Sequence, residues 1–280
     1  MGLLSGLSGL GLDGLADADV FDGDKKGEDK KKAQAVKIEE KDLLFDKTYK
    51  CPVCGDEAYG KVMKSGKAKL LGTDQDLRPR YDGIDIVKYD VVLCPNCGYT
   101  ALARFFPNLT STQAKMITEQ ISSKVKIPKH TNETYTYEEA IDRYQLALAN
   151  AVVKRAKASE KAYICLKSAW LMRGYAEYQK EQKIATDEAI AELRSKEEEY
   201  ILNAYNGFVE ARQSEGFPMC GMDEVTVDYL LAVLSFHLKK YDVASKMVGT
   251  ILTNTKANNR MKDKARDLKD EILAEMKKNK

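Results

Sequence analysis

The spacing of apolar residues over the second half of the chain predicts helices. Apolar side chains recur there every three or four residues, and no proline occurs between positions 129 and 217. This period places the apolar residues on one face of a helix. The predicted helices lie at residues 141–152, 162–176, 190–211, 226–239, 242–254 and 261–276. We expect Glu197, Glu198 and Glu199, in the middle of the third helix, to form a solvated face.

The first half of the chain has a different pattern. Short runs of β-branched and aromatic residues at 59–63, 69–72 and 86–93 are separated by turn residues and predict strands. Residues 1–45 combine a leucine- and glycine-rich stretch with a charged segment. We expect a flexible tail and linker there, or a short motif that becomes ordered on a partner. The whole pattern predicts a mainly α protein, with a β-rich module at 46–107 and a helical domain at 108–280.

Residues 231–244 resemble a tetratricopeptide repeat, a unit of two antiparallel helices. Tyr241 and Ala244 match the residues that open its second helix, whereas Lys239 and Lys240 replace its usual turn glycine. The segment 137–178 has similar proportions, which indicates a tetratricopeptide-like hairpin array. Such arrays form a concave groove that holds a peptide or a neighbouring subunit. An ordinary helical hairpin is the alternative, and it leaves the fold class unchanged.

Length and charge exclude several classes of protein. At roughly 150 residues per domain, the 280 residues suffice for two domains. The 45 Lys and Arg against 43 Asp and Glu leave a net charge of +2, which is too balanced for a dedicated polyanion binder. No stretch approaches the roughly 18 apolar residues of a membrane span, and the tail lacks the basic start of a secretory signal. We therefore expect a cytoplasmic protein.

Four of the six cysteines form two C-P-x-C-G motifs. Cys51 and Cys54 belong to the first and Cys94 and Cys97 to the second, with 39 residues between Cys54 and Cys94. Two residues between the thiols let one tight turn aim both sulfurs at a single ion, and the following glycine turns backbone amides toward them. Four thiolates are typical of closed, tetrahedral sites for structural zinc. The sequence therefore predicts that residues 46–107 form a zinc ribbon with one structural Zn²⁺ ion.

A rubredoxin-like iron site is the main alternative, because it also has four thiolate ligands in tetrahedral geometry. The single tryptophan, Trp170, lies outside the ribbon, and the ribbon sequence lacks a dense aromatic core, so zinc is favoured. A redox dithiol or a disulfide is a weaker alternative. A zinc ion with four cysteine ligands has no open position, and we expect no hydrolysis at the metal.

The interval between the two motifs contains candidate contact residues. Arg78, Arg80 and Tyr81 lie in a polar loop and could bind a carboxylate-bearing protein partner. Together with Lys64 and Lys67 they could instead contact phosphates and stack on a base, as in a nucleic-acid-binding ribbon. Aspartates in the same interval cancel much of this positive charge. A solvated surface is the simplest interpretation, and nucleic acid is the less favoured partner.

No catalytic motif is present in the sequence. It contains no P-loop, dinucleotide-binding fingerprint, H-E-x-x-H motif or nucleophile elbow. We expect His237 to pack in the core or at its rim, and Cys165 to be buried. Cys220 falls in a loop, where it could be reactive. These features favour a protein without enzymatic activity.

The combination of motifs resembles domain-of-unknown-function family 2225, an uncharacterised bacterial group. Members pair a C-P-x-C-G ribbon and a D-x-D…R-Y interval with a C-P-x-C-G-Y motif, and continue into tetratricopeptide-like helices. The matching positions are 51–55, 64–67, 74, 76, 79–81, 89–92 and 94–99. The resemblance implies a cytoplasmic bacterial protein with no established activity.

These observations predict a non-enzymatic, cytoplasmic, zinc-binding adaptor or scaffold. We expect its helical-repeat domain to bind a protein partner. A nucleic-acid-binding zinc-ribbon protein is the first alternative, and a rubredoxin-like iron redox protein is the second.

Overall fold

The computed structural model describes residues 39–127 and 132–278. The tail and linker were predicted for residues 1–45, of which residues 1–38 lie outside the described ranges. The described part of the chain is mainly α, with small antiparallel sheets followed by a helical region. No helix in these ranges is both long enough and apolar enough to cross a membrane.

Two antiparallel sheets form the first region. The larger sheet has four strands in the order β1-β2-β5-β6, and the smaller one pairs β3 with β4. The strands are β1 (Leu44–Lys50), β2 (Glu57–Met63), β3 (Leu70–Thr73), β4 (Pro79–Tyr81), β5 (Val91–Leu93) and β6 (Thr100–Leu102). The strand predicted at 59–63 is confirmed within β2, and the one at 69–72 is confirmed one residue further along the chain.

Each cysteine motif is the turn of a β-hairpin. The first motif connects β1 and β2 where Lys50 pairs with Glu57. The second connects β5 and β6 where Leu93 pairs with Thr100. Tyr59 of β2 also pairs with Leu93, which joins the two hairpins. Both motifs therefore lie at the same end of the larger sheet.

The strand predicted at 86–93 is only partly correct. Ile86–Tyr89 forms a 3-10 turn, and only Val91–Leu93 is a strand. The carboxylate of Asp85 accepts a hydrogen bond from the backbone N–H of Val87 (3.1 Å) and caps the turn. A continuous apolar run is compatible with a buried strand and with a buried turn, so periodicity could not separate them.

The helical region begins with a short helix that the sequence pattern did not predict. This is α1 (Ser111–Ile117), and a π-helical turn, Thr118–Ser122, extends it. The six predicted helices are confirmed, with ends that differ by a few residues. They are α2 (Tyr137–Val153), α3 (Ala158–Gln182), α4 (Asp187–Ser214), α5 (Glu224–His237), α6 (Tyr241–Thr253) and α7 (Asn259–Lys278).

Side-chain caps determine where three of these helices begin. Thr136, Thr186 and Asp223 precede α2, α4 and α5, and each accepts a hydrogen bond from a backbone N–H of the first turn. Such a cap satisfies a donor that has no partner within the helix. Threonine and aspartate at these positions therefore favour a helix start at the residue that follows.

The strand region and the helices share one hydrophobic core. Val87, Val91 and Leu102 pack in the same cluster as Tyr144 of α2 and Leu166 of α3. The long helices α3 and α4 run antiparallel, since Ala162 lies beside Gly207 and Arg173 binds Glu197, and they pack closely along their length. A second core cluster joins α5, α6 and α7.

The helical hairpin of α5 and α6 contains the residues that resemble a repeat. Tyr241 contacts Phe236, with 5.9 Å between the ring centroids, and Ala244 is fully buried. Contacts of this kind occur in any closely packed helical hairpin. The assignment to a tetratricopeptide repeat therefore stays a prediction.

Candidate metal centre

The four cysteines of the two motifs form one cluster. The sulfur atoms of Cys51, Cys54, Cys94 and Cys97 all lie within 4.8 Å of one another. Two sulfur pairs, Cys51 with Cys97 and Cys54 with Cys94, are 3.6 Å apart. Cys54 lies at the surface, and the other three are buried. The sheet thus brings all four predicted ligands to one point.

The backbone of the two motifs has the same local geometry. The N–H of Gly55 donates to the carbonyl of Cys51 (2.9 Å), and the N–H of Gly98 donates to that of Cys94 (3.0 Å). Both glycines have positive φ angles, +81° and +74°, which side chains disfavour. A Cβ atom at Gly98 would also lie 2.5 Å from Cγ1 of Val125. Glycine is therefore required at the second motif for two independent reasons.

The sulfur positions fit a tetrahedral metal site. Four sulfurs at about 2.3 Å from a zinc ion are separated from one another by about 3.8 Å, which is close to the 3.6 Å of the Cys51–Cys97 and Cys54–Cys94 pairs. Thiolates are soft ligands that select zinc and iron over magnesium or calcium. The cluster could therefore hold one metal ion, and its geometry suits zinc and iron equally.

Three of the clustered thiols influence one another's ionisation, because their sulfur atoms lie close together. Hydrogen bonding to Cys51 lowers the pKa of Cys94 to about 2. Hydrogen bonding with Cys94 raises the pKa of Cys51 to about 11. Hydrogen bonding to Cys51 and Cys94 raises the pKa of Cys97 as well. One sulfur thus concentrates negative charge, and a bound metal ion would displace protons from the others.

An aromatic cluster packs directly behind the cysteines. The ring of Phe106 lies 4.9 Å from that of Tyr99 and 5.7 Å from that of Tyr49. These rings belong to the same hydrophobic cluster as Cys51 and Cys94. The expectation that the ribbon lacks an aromatic core is therefore wrong, because the fold joins rings that are far apart in sequence. Aromatic packing does not distinguish zinc from iron here.

Two of the predicted contact residues bind carboxylates of the same chain. Arg78 is 3% exposed and donates hydrogen bonds to Asp85 (2.8 Å) and Glu177 (3.2 Å). Arg80 donates to Asp74 (2.7 Å) and, through both terminal nitrogens, to Glu177 (2.6 and 2.9 Å). Glu177 of α3 therefore occupies the place in which the sequence suggested a partner's carboxylate. Binding of a partner by these arginines stays a prediction.

Sequence reasoning missed two further members of this network. Arg173 of α3 donates to Asp76 (2.6 Å) and to Glu197 of α4 (2.6 Å). The expected solvated face is wrong at Glu197, which is buried. Its position four residues from both Leu193 and Ile201 was the available signal, since that spacing puts it on the apolar face. We refer to Asp74, Asp76, Arg78, Arg80, Asp85, Arg173, Glu177 and Glu197 as the ionic cluster.

Gly174 makes room for the most buried pair of the ionic cluster. A Cβ atom at this position would lie closer than 3.0 Å to both Asp85 Oδ2 and Arg78 Nη2. The absence of a side chain therefore lets this ion pair lie directly on α3. Tyr81, the third predicted contact residue, is partly buried and packs beside Ile84.

The remaining residues singled out from the sequence lie away from the cysteine cluster. Cys165 is buried, as expected. Cys220 is also buried and its thiol donates to the carbonyl of Ser159 (3.3 Å). Burial raises its pKa to about 11, which lowers the fraction of the reactive thiolate. His237 is exposed at the end of α5, beside Glu198, and does not pack in the core.

The fold and the cysteine cluster define a mainly α protein with a candidate four-cysteine metal site at one end of a small antiparallel sheet. The model of the family described as "Uncharacterized protein conserved in bacteria (DUF2225)" matches residues 44–272. The chain therefore belongs to this family, as its motifs predicted. No curated protein and no solved structure matches the chain significantly.

Proposed function

We propose that this protein is a non-enzymatic cytoplasmic adaptor. A structural Zn²⁺ ion at the four cysteines stabilises the ribbon, and the helical region binds an amphipathic helix of a partner protein. The observation that carries this proposal is a groove of about 790 Å³ between α2 and α4, with α3 as its floor. Free thiols available to a metal are typical of the reducing cytoplasm.

The groove has an apolar floor and an apolar wall. Ala158 and Ala162 of α3 form part of the floor, and their small side chains leave the groove deep. Ile141, Leu148 and Val152 of α2 form the wall. Val152 is 59% exposed despite its apolar side chain. At 1.5 Å per residue this wall is about 17 Å long, or three helical turns.

The rim of the groove indicates the chemistry of the partner. Lys161, Glu199 and Glu210 line it, and none of them has an ion-pair partner within the described ranges. A partner helix whose apolar face is flanked by acidic and basic residues complements this rim. Such a helix satisfies its own backbone hydrogen bonds, so it can enter an apolar groove without leaving polar groups unpaired.

Zinc suits the role of the cysteine cluster in this adaptor. The two hairpins of the larger sheet meet at the cluster, and β5 and β6 are only three residues long. So little regular structure needs an additional source of stability, which a structural zinc ion supplies. With all four positions filled by protein thiolates, the ion has none left for a substrate.

Site-specific photo-crosslinking in the native cell tests the groove. One chain carries a photoreactive amino acid in place of Val152, and a control chain carries it in place of Val243, an exposed apolar residue on α6 outside the groove. We expect the chain labelled at position 152 to crosslink to an amphipathic helical segment of one partner. The control chain should not reach that segment.

A pair of charge substitutions completes the test. In a pull-down without crosslinking, Val152→Glu should abolish recovery of the partner identified from position 152, because it places a carboxylate in the apolar wall. Val243→Glu should leave the complex intact. Retention of the complex by Val152→Glu, or equal crosslinking from both positions, would show that the groove is not the binding site.

A further inference from the structure

A second cavity, of about 690 Å³, lies between the strand region and helices α2 and α3. Its lining comes from residues 40–88 and 134–184, and includes none of the four clustered cysteines. Two distant parts of the chain thus build it together. Its volume falls within the roughly 300 to 1,000 Å³ that is typical of sites for small organic ligands.

One wall of this cavity is built from tyrosine rings. Tyr137 stacks on Tyr175, with centroids 5.1 Å apart and planes at 12°, and its centroid lies 5.5 Å from that of Tyr178. Tyr81 and Tyr135 also belong to the lining. Tyr178 is 43% exposed. The face of an aromatic ring carries partial negative charge and attracts cations.

The inner part of the wall already holds a cation of the protein itself. The ammonium group of Lys88 lies 5.3 Å from the ring centroid of Tyr137. Glu40 (2.8 Å) and the backbone carbonyl of Tyr135 (3.0 Å) bind the same group, which is buried. Rings and carboxylates of this lining therefore cooperate in stabilising a positive charge.

The charged residues of the lining leave an excess of negative charge. The acidic members are Glu40, Asp85, Glu138, Glu177 and Glu181, and the basic members are Arg78, Arg80 and Lys88. The lining therefore carries a net formal charge of −2. Carboxylates of the chain bind all three bases.

Among the carboxylates of this lining, Glu181 remains available to bind a cation from outside the chain. It has neither an ion pair nor a hydrogen bond among the residues that the structure describes, and it is exposed. It lies three residues after Tyr178 on α3, so the two side chains are neighbours on one helix face. An exposed ring beside a carboxylate without a partner is an arrangement suited to a cation.

We propose that this cavity binds a small organic cation. Its ammonium or guanidinium group lies against the ring of Tyr178 and pairs with Glu181, while its alkyl part follows the tyrosine wall. A free molecule and a basic side chain of a polypeptide offer the same chemistry. The site does not depend on the groove between α2 and α4, so either proposal can fail alone.

Calorimetric titration of the full-length, metal-loaded protein tests this site. Agmatine, an alkylguanidinium with a terminal amine, is the free-cation probe, and a capped Gly-Arg-Gly peptide is the side-chain probe. We expect at least one probe to bind, and its Kd to rise about fivefold in Tyr178→Ala and in Glu181→Gln. Glu210→Gln, at the rim of the other groove, should leave the Kd unchanged.

The two probes show whether the site takes a free cation or a basic side chain, and the variants show whether the site exists. Binding of both probes supports a site for free cations, and binding of the peptide alone supports a site for a basic side chain. Tyr178→Phe keeps the ring and should keep the affinity. The proposal is overturned if neither probe binds, or if Tyr178→Ala and Glu181→Gln, with circular dichroism spectra of the folded protein, bind as tightly as the parent chain.

Discussion

At Gly174, helix propensity favours alanine, whereas the tertiary contacts of α3 require glycine. Replacing glycine by alanine inside a helix ordinarily raises the free energy of unfolding by up to about 1 kcal/mol. At Gly174 the new Cβ would instead collide with the buried pair of Arg78 and Asp85. We expect Gly174→Ala to lower the free energy of unfolding by about 2 kcal/mol, as overpacking does. Urea denaturation measures this difference.

Gly249 provides the matched control for this substitution. It also lies inside a helix, α6, and no atom lies within 4 Å of an added Cβ. Gly249→Ala should therefore raise the free energy of unfolding, by up to about 1 kcal/mol. If both substitutions stabilise the protein, the ion pair does not lie against α3 as described.

The two cysteines outside the cluster should react slowly with alkylating agents. Burial raises the pKa of Cys165 and that of Cys220 to about 11, from an ordinary value of 9.0. At pH 8 this lowers the thiolate fraction about 100-fold, and burial restricts access further. Peptide mapping by mass spectrometry after iodoacetamide treatment measures the rates. Urea-unfolded protein is the control, in which both thiols should be modified quickly. Rapid modification of Cys220 in the native protein would contradict its burial.

Residues whose roles depend on local spacing could be identified from the sequence. The four cysteine ligands are of this kind, because each C-P-x-C-G motif determines its own turn. The ion pair of Glu197 and Arg173 was missed because the partner of a charged side chain on an apolar helix face is visible only in the folded structure. The rings of Tyr49 and Phe106 were missed for the same reason, since they are distant in sequence and meet beside the cysteines.

Among the elements, the helices were the easiest to predict. Helices α2, α4, α6 and α7 each bury one face, and that burial produces the periodic pattern. Helices α3 and α5 are buried on most sides, and their length and lack of proline made them recognisable. Helix α1 has only seven residues, about two turns, which is too short to show a clear period. The apolar run at 86–93 misled the strand prediction because the cap from Asp85, rather than the apolar pattern, determines the 3-10 turn there.

The ionic cluster attaches the loop around β4 to helices α3 and α4. Arg78→Gln would leave Asp85 with no buried cationic partner, so we expect the free energy of unfolding to fall by about 3 kcal/mol.

Arg194→Gln is the control: Arg194 also binds Glu197 (2.7 Å), but 45% of its side chain is exposed. Its loss should cost less than about 1 kcal/mol. Urea denaturation of both variants compares them, and equal losses would show that the cluster is not buried as described.

At the scale of the whole molecule, the cysteine cluster and the helical groove lie on different parts of one structure. The strand region shares a core with α2, α3 and α4 through Val87, Val91 and Leu102. A metal ion bound at the four cysteines would therefore also support the surface on which α2 rests. The position of α2 in turn determines one wall of the groove.

The most direct test of the proposed structural zinc site is native mass spectrometry of the purified full-length protein. We expect every folded molecule to carry one zinc ion. Its mass should exceed that of the denatured chain by the mass of zinc minus that of the protons that zinc displaces from the thiols. A bound iron ion would make the site rubredoxin-like. A folded chain without metal, lighter by the hydrogens lost to disulfides, would contradict the structural metal site itself.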